Sequence, residues 1–226
     1  IYVSDCGNAM QVKVFSAEGV PLRAIGKPGG RPWVGRYEPE GLLMPAALAV
    51  DAEGKVWVPE FDSSPKRVSV WSTDGTLLAD LQGAGAYAVE AIADERDPRW
   101  VNVHRTLYEV NYEIGETRTV ATLIRPELTG HQISPAGGEM GRALKTRHVN
   151  GRTYLVWPGY HYVTIYLLGD DLVARPVAAL GWLKDIIHCG VKKEDLPEAV
   201  REEAWANTCQ YGFTWTDYNG DKLLQP

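Results

Sequence analysis

Val56-Trp-Val-Pro-Glu60, Val68-Ser-Val-Trp71, Ser72-Thr-Asp-Gly75 and Leu78 to Gly83 decide the fold, because the same pieces occur in the same order at the start of the chain. Residues 1–26 read Ile1-Tyr-Val-Ser-Asp5, Val12-Lys-Val-Phe15, Ser16-Ala-Glu-Gly19 and Leu22 to Gly26. Each copy is a strand with an acidic end, a short gap, a second strand closed by an aromatic residue, a tight turn and a third strand. Alternating apolar and polar residues put one face of each strand in a core. Asp74-Gly75 is a strong hairpin turn and Glu18-Gly19 a weaker one at the same place, since glycine enters the left-handed region without a steric penalty. Upstream of the second copy, Pro45-Ala-Ala-Leu-Ala-Val50-Asp51-Ala-Glu-Gly54 adds a strand that runs into an acidic–glycine turn. Small antiparallel sheets of this kind bury their faces by stacking on one another.

Two looser copies follow. Arg99-Trp-Val-Asn-Val103 leads to Leu107–Tyr112, Ile114-Gly115-Glu116 and Thr119–Leu123; Arg152–Trp157 leads to Tyr162–Tyr166, Gly169-Asp-Asp171 and Ala174 to Leu180. Aligning Phe15, Trp71, Tyr112 and Tyr166 gives spacings of 56, 41 and 54 residues. A repeat of about 40–45 residues with insertions accounts for them. The insertions are Lys27–Leu43 and Arg125–Lys145, rich in glycine and proline, and segments of that length between elements are commonly functional or unstructured.

The run Ile1 to Phe15, with a strand ending in Asp5, then Asn8, then Val12-Lys-Val-Phe15, resembles the signature of NHL repeats. Pro45 to Asp51 is similar to the proline-led Ala-Val-Asp run that begins such repeats. The resemblance covers residues 1–83 well and 84–180 loosely. Ala9-Met10 replaces the basic residue that often follows the family's asparagine, and Asp62-Ser-Ser-Pro65 replaces that asparagine in the second copy. It implies an all-β, NHL-type β-propeller of about four recognisable blades over 1–180, in an incomplete ring. Residues 181–226 would then form a helical segment and a loop. The strand at Ile1 and the loop at Pro226 suggest a processed product or a piece of a longer protein, with a protein partner or further blades covering the open edges.

The bulk numbers are those of a globular protein: 226 residues, 45% hydrophobic and 23% charged. The net charge of −6 and the lack of a basic stripe argue against nucleic acid as a partner. No apolar run approaches the ~20 residues needed to span a membrane. Three cysteines do not make a disulfide scaffold; Cys189 and Cys209 would be a pair, with Cys6 left over, or all three are packed thiols.

Near the end of the chain, Asp195 reads as an N-cap, Pro197 lies in the first turn, and Leu196, Val200 and Ala204 share a face, which predicts a helix over about 196–207. Asp217-Tyr-Asn219-Gly-Asp221-Lys-Leu223 resembles the opening of an EF-hand-type calcium loop. Asp217, Asn219 and Asp221 would supply side-chain oxygens and Leu223 its carbonyl. Lys222 stands where that loop takes glycine, and the chain ends before a twelfth-position glutamate. An Asn-Gly turn between strands is the competing explanation.

Candidate chemistry is sparse. Of five histidines none pairs at metal-ligand spacing. The family resemblance implies a weak alternative: some propeller lyases hold zinc with histidines from separate blades, and His104, His148 and His161 of the later blades would be the candidates. Asp5, Asp51, Glu60 and Asp94 end strands or turns, as do the calcium-binding carboxylates of lactonase-type propellers, but turn capping is the stronger explanation for Asp51, and the equivalent places of Asp5 and Glu60 in two copies favour a structural role. Trp157-Pro-Gly-Tyr-His161-Tyr162 is either a pocket wall or core. There is no phosphate loop, no Gly-x-Ser-x-Gly elbow and no Cys-x-x-Cys-His. The expectation is therefore a non-enzymatic binding or scaffold propeller, secreted or periplasmic, with Ca²⁺ as its one candidate cofactor. The alternatives are a metal-dependent lyase or lactone hydrolase, and a docking subunit of a larger redox or surface assembly.

Overall fold

The computed structural model describes residues 1–61, 64–83, 90–125, 143–158, 162–187 and 192–220. The fold is all-β, in four antiparallel sheets taken up in chain order. The first sheet is β1 (Tyr2–Asp5), β2 (Gln11–Phe15) and β3 (Pro21–Ile25). The second is β5 (Ala49–Val50), β6 (Val56–Pro59), β7 (Lys66–Trp71) and β8 (Leu77–Gly83). The third runs β9 (Ala91–Ala93), β10 (Trp100–Val103), β11 (Thr106–Asn111) and β12 (Glu116–Thr122), with β4 (Gly35–Arg36) added outside β12. The fourth is β13 (Lys145–Val149), β14 (Arg152–Pro158), β15 (Tyr162–Leu168), β16 (Ala174–Trp182) and β17 (Gly212–Thr216). Apart from β4, each strand pairs with its neighbour in sequence, the cheapest pairing for loop closure.

The hairpin turns explain the repeat. In residues 16–20, 51–55, 72–76 and 169–173 the first residue's N–H donates to the fifth residue's carbonyl, and the fourth residue's N–H donates back to the first. The fourth residue is left-handed each time: Gly19 at φ 84°, Gly54 at 82°, Gly75 at 94° and Leu172 at 59°. Three glycines take this conformation freely, whereas Leu172 meets a steric penalty of about 1–2 kcal/mol. Phe15 and Trp71 both stand just before such a turn. Tyr112 and Tyr166 do not: Tyr112 lies exposed beyond the end of β11, and Tyr166 is buried inside β15. The alignment of four aromatics thus holds for two.

Three apolar clusters join the layers. Val12, Val14 and Ile25 of the first sheet pack on Val56, Val58 and Trp71 of the second, with Leu42 between them. Ala121, Leu123 and Ile124 at the end of β12 pack on Leu155, Trp157, Tyr166 and Ala174. Leu183, Leu196 and Ala204 pack on Tyr162, Ala179 and Trp215 of the fourth sheet. Each such side chain contributes roughly 1.5–3 kcal/mol when fully buried.

The segment Lys27–Leu43 is a strap. It leaves the first sheet and lays β4 along the far edge of the third, Arg36 opposite Ala121. Glycine is needed where the strap crosses itself: a Cβ on Gly30 would lie 2.2 Å from the Leu42 carbonyl, and one on Gly41 2.4 Å from the Arg31 nitrogen. The other insertion is described only at Arg125 and Ala143–Lys145, the rest lying outside the described residues.

The C-terminal part differs from the sequence expectation. The division at 180/181 falls inside β16, and β17 returns to pair with it, Gly181 opposite Phe213. The helix is α2 (Arg201–Ala206), preceded by a short helix α1 (Leu183–Ile186) and a 3-10 turn over Lys193–Asp195. Leu196, extended at ψ 147°, precedes Pro197, whose ring disfavours a helical residue before it, so the predicted 196–207 helix starts late. Asp195 accepts the Lys192 N–H at 2.8 Å, capping the 3-10 turn and not α2.

Candidate functional site

A cleft of about 330 Å³ opens between the third and fourth sheets. The third sheet offers Trp100, Asn102, Leu107 and Val120, and the fourth offers Thr146, His148, Thr153 and Leu155. Leu123, Leu168 and Leu172 add apolar surface, and Arg36 of the strap stands at the rim. Its size is at the lower end of small-molecule pockets, and a mostly apolar wall with a few polar groups is typical of them.

The polar wall is built by one hairpin and one turn. Asn150 and Gly151, both left-handed at φ 49° and 74°, form the two-residue loop between β13 and β14. That loop fixes the register and sets His148 opposite Thr153. His148 Nδ1 lies 3.2 Å from Thr153 Oγ1, and its Nε2 lies 2.8 Å from Asp94 Oδ2 across the seam. Asp94 also accepts the N–H groups of Arg96 at 2.8 Å and Asp97 at 3.3 Å. Burial pushes its carboxyl up, but these N–H groups and the His148 ring outweigh it and hold it below the usual carboxylate range. Asn102 is 2% exposed and donates its amide to the Leu144 carbonyl at 2.9 Å and to Thr146 Oγ1 at 3.0 Å. That carbonyl fixes the amide's orientation, and among the described residues Oδ1 is left buried without a donor.

A second polar cluster lies beside the second sheet. Glu60 accepts from Arg31 Nη1 and, at 2.7 Å, from Arg67 Nη1, with the carboxylate and both guanidinium groups essentially inaccessible. Arg67 also donates to Asp80 at 2.7 Å and to the strap carbonyls of Gly41, at 2.9 Å, and Pro39. Tyr37 sits under both guanidinium groups, at 5.4 and 5.9 Å, and its hydroxyl bonds Asp80. Burial raises the Tyr37 phenol far above its usual range against the pull of Arg67. Every carboxylate oxygen of Glu60 is committed to locking the strap.

The sequence candidates are distributed as follows. His148 lies in the cleft. His104, left-handed at φ 55°, packs edge-on against Trp157 at 5.9 Å, and His161 lies outside the described residues. Trp157 itself is core. Among the described residues no group of three His, Cys, Asp or Glu is placed to hold a metal. Asp217 Oδ1 accepts the Gly220 N–H at 2.9 Å, closing a turn that also contains Asn219. Asp221 and Leu223 lie outside the described residues. Asp5 accepts the Gly7 N–H, and Asp51 accepts from Glu53, Lys55 and the Trp57 indole, so both cap turns. Cys6 and Cys209 are free and exposed, so Cys209 is not half of a disulfide; Cys189 lies outside the described residues. Thr153, Asn102 and Arg36 escaped the sequence reading. The signal for Thr153 was present in Asn150-Gly151, which sets its register against His148.

No helix among the described residues is long and apolar enough to cross a membrane. No protein-family model matches the chain, and no curated protein matches it. Among solved structures, a Lactobacillus plantarum protein is similar over 78% of this chain and 52% of its own, at 11% identity and a TM-score of 0.27. The chain thus spans about half the length of that protein. A "Putative exported protein" of Bacteroides fragilis is similar over 96% of this chain and 87% of its own, at 10% identity and a TM-score of 0.30.

Proposed function

We propose that this chain is part of a non-enzymatic binding propeller of the NHL kind, which takes a small ligand in the cleft between the third and fourth sheets. The cleft carries the reading: an apolar cavity of about 330 Å³ with one ordered polar wall, Asp94–His148–Thr153. Leu172 supports it, because a leucine held left-handed beside a cavity is strain of the sort that binding sites retain. The four sheets in chain order, three of them with a shared turn geometry, support the propeller. Leu22 on the first sheet and Leu180 and Trp182 on the fourth are left exposed, which favours further blades or a protein partner beside them. An extracytoplasmic setting follows from the acidic balance and from the calcium-type pattern at Asp217, Asn219 and Asp221.

A fragment library screened by ligand-observed NMR tests the site. Fragments bound by the native chain should lose at least about tenfold in affinity with Leu168→Trp, which fills the rim. Its melting temperature should stay within a few degrees. A library with no binders, or binding indifferent to the filled rim, would overturn the proposal.

A further inference from the structure

We infer that the ligand of this cleft is an apolar monocarboxylate, held by Arg36 at the rim with its hydrocarbon body between the two sheets. The inference rests on the cleft being a ligand site and adds the chemistry of the occupant. Arg36 is exposed at the mouth and has no carboxylate partner among the described residues. Its backbone is fixed by pairing with Ala121. Gly35 beside it sits at φ 95° against the turn that carries Leu172, where a Cβ would lie 3.1 Å from the Asp171 carbonyl. The Asp171 side chain is spent on Arg175, at 2.7 and 3.1 Å. Arg36 is therefore an exposed cation carried on a fixed stretch of backbone at the mouth, and its planar fork matches a carboxylate.

The rest of the cleft selects the remainder of the ligand. Leu107, Leu123, Leu155, Leu168 and Leu172 face it with hydrocarbon, so an apolar body is favoured over a sugar or a peptide. Asp94 is ionised in the same wall, which disfavours a dianion such as a phosphate monoester. A cationic ligand is disfavoured beside Arg36, and Asp94 already takes His148 and two backbone N–H groups, which leaves the uncharged Asn102 Oδ1 as the open acceptor among the described residues of that wall. One negative charge on a compact apolar body is what remains.

Calorimetry with octanoate, octanol and octylamine, which share a tail and differ in head group, tests this on the native chain, Arg36→Gln, Arg36→Lys and Leu168→Trp. Octanoate should bind at least about tenfold more tightly than the other two. Arg36→Gln should bring octanoate down to the level of octanol while leaving octanol unchanged, and Arg36→Lys should fall between. Leu168→Trp should weaken all three. If octanol matches octanoate, or Arg36→Gln has no effect, the carboxylate assignment fails while the cleft stands as a site. If none of the three binds, the inference fails, and failure of the fragment library as well removes the site with it.

Discussion

The seam between the first and second sheets and the seam between the second and third are built by opposite means. The first is hydrocarbon against hydrocarbon: Val12, Val14 and Ile25 against Val56, Val58 and Trp71. The second is a set of directed bonds. Thr122 donates its hydroxyl to the Ser64 carbonyl at 2.8 Å, Thr119 bonds Gln82, and Tyr37 reaches Asp80. Beside it the buried Arg31–Glu60–Arg67 group ties the strap, which carries Tyr37, to the second sheet. An apolar seam tolerates exchange of one hydrocarbon shape for another of the same volume. A buried ionic seam tolerates almost nothing, because removing one partner strands a charge.

The largest effect should come from Glu60. Glu60→Ala leaves Arg31 and Arg67 buried without their shared acceptor and should lower unfolding free energy by about 3–5 kcal/mol, read from guanidinium denaturation. Glu60→Gln keeps the volume and should still cost about 2 kcal/mol. A loss under about 1 kcal/mol in both would mean the two arginines find other acceptors, and the contrast between seams would collapse.

Next comes Ile25, which is 0% exposed in the apolar seam. Ile25→Ala should cost about 2–5 kcal/mol and Ile25→Val about 0.5–1.5, graded by the volume removed. Losses at Ile25 that follow the volume removed, beside a loss at Glu60→Gln where the volume is kept, are the sharpest form of the comparison. Equal losses for Ile25→Val and Ile25→Ala would break it.

The smallest effect concerns Asp94, which ties the third sheet to His148 of the fourth. Its carboxyl is held below the usual carboxylate range when folded, so the folded chain binds this proton less readily than the unfolded one. Its contribution is full above the unfolded pKa of about 3.9 and fades as pH falls through the depressed folded value. Because the group is partly solvated, Asp94→Asn should cost only about 1 kcal/mol at pH 6. The gap between the two denaturation midpoints should narrow as pH falls below the unfolded value. A gap that did not narrow would show that packing, not charge, accounts for the loss.

The same contrast explains what the sequence disclosed. Alternation marks apolar faces, so β1, β2, β6 and β7 are legible within a residue or two. Phe213-Thr-Trp215-Thr carries the same alternation, yet the acidic residues after it drew attention to a calcium loop and hid β17. The strap was legible as an insertion but not as a strand, since β4 has two residues and is specified by an edge 85 residues away. Arg31 and Glu60 gave no warning of their union, for ion pairing depends on where loops cross and leaves no period in the chain. His148 stood out only as a scattered histidine. Its partner Thr153 follows from the Asn150-Gly151 turn, whereas Asp94 comes from another sheet and no local pattern announces it.

The strap also governs the order in which the molecule is assembled. Arg36 meets Ala121 only after the second sheet and nearly all of the third have been synthesised. Until then residues 27–43 have no edge to join, and the entropy of closing so long a loop is unrecovered. The first hairpins can form on microsecond timescales, but the contact between strap and β12 is late and non-local, the kind that slows folding. Once made, it ties the first sheet's end of the chain to the third sheet, so the first three sheets should protect their amides from exchange as a single cooperative unit and not sheet by sheet.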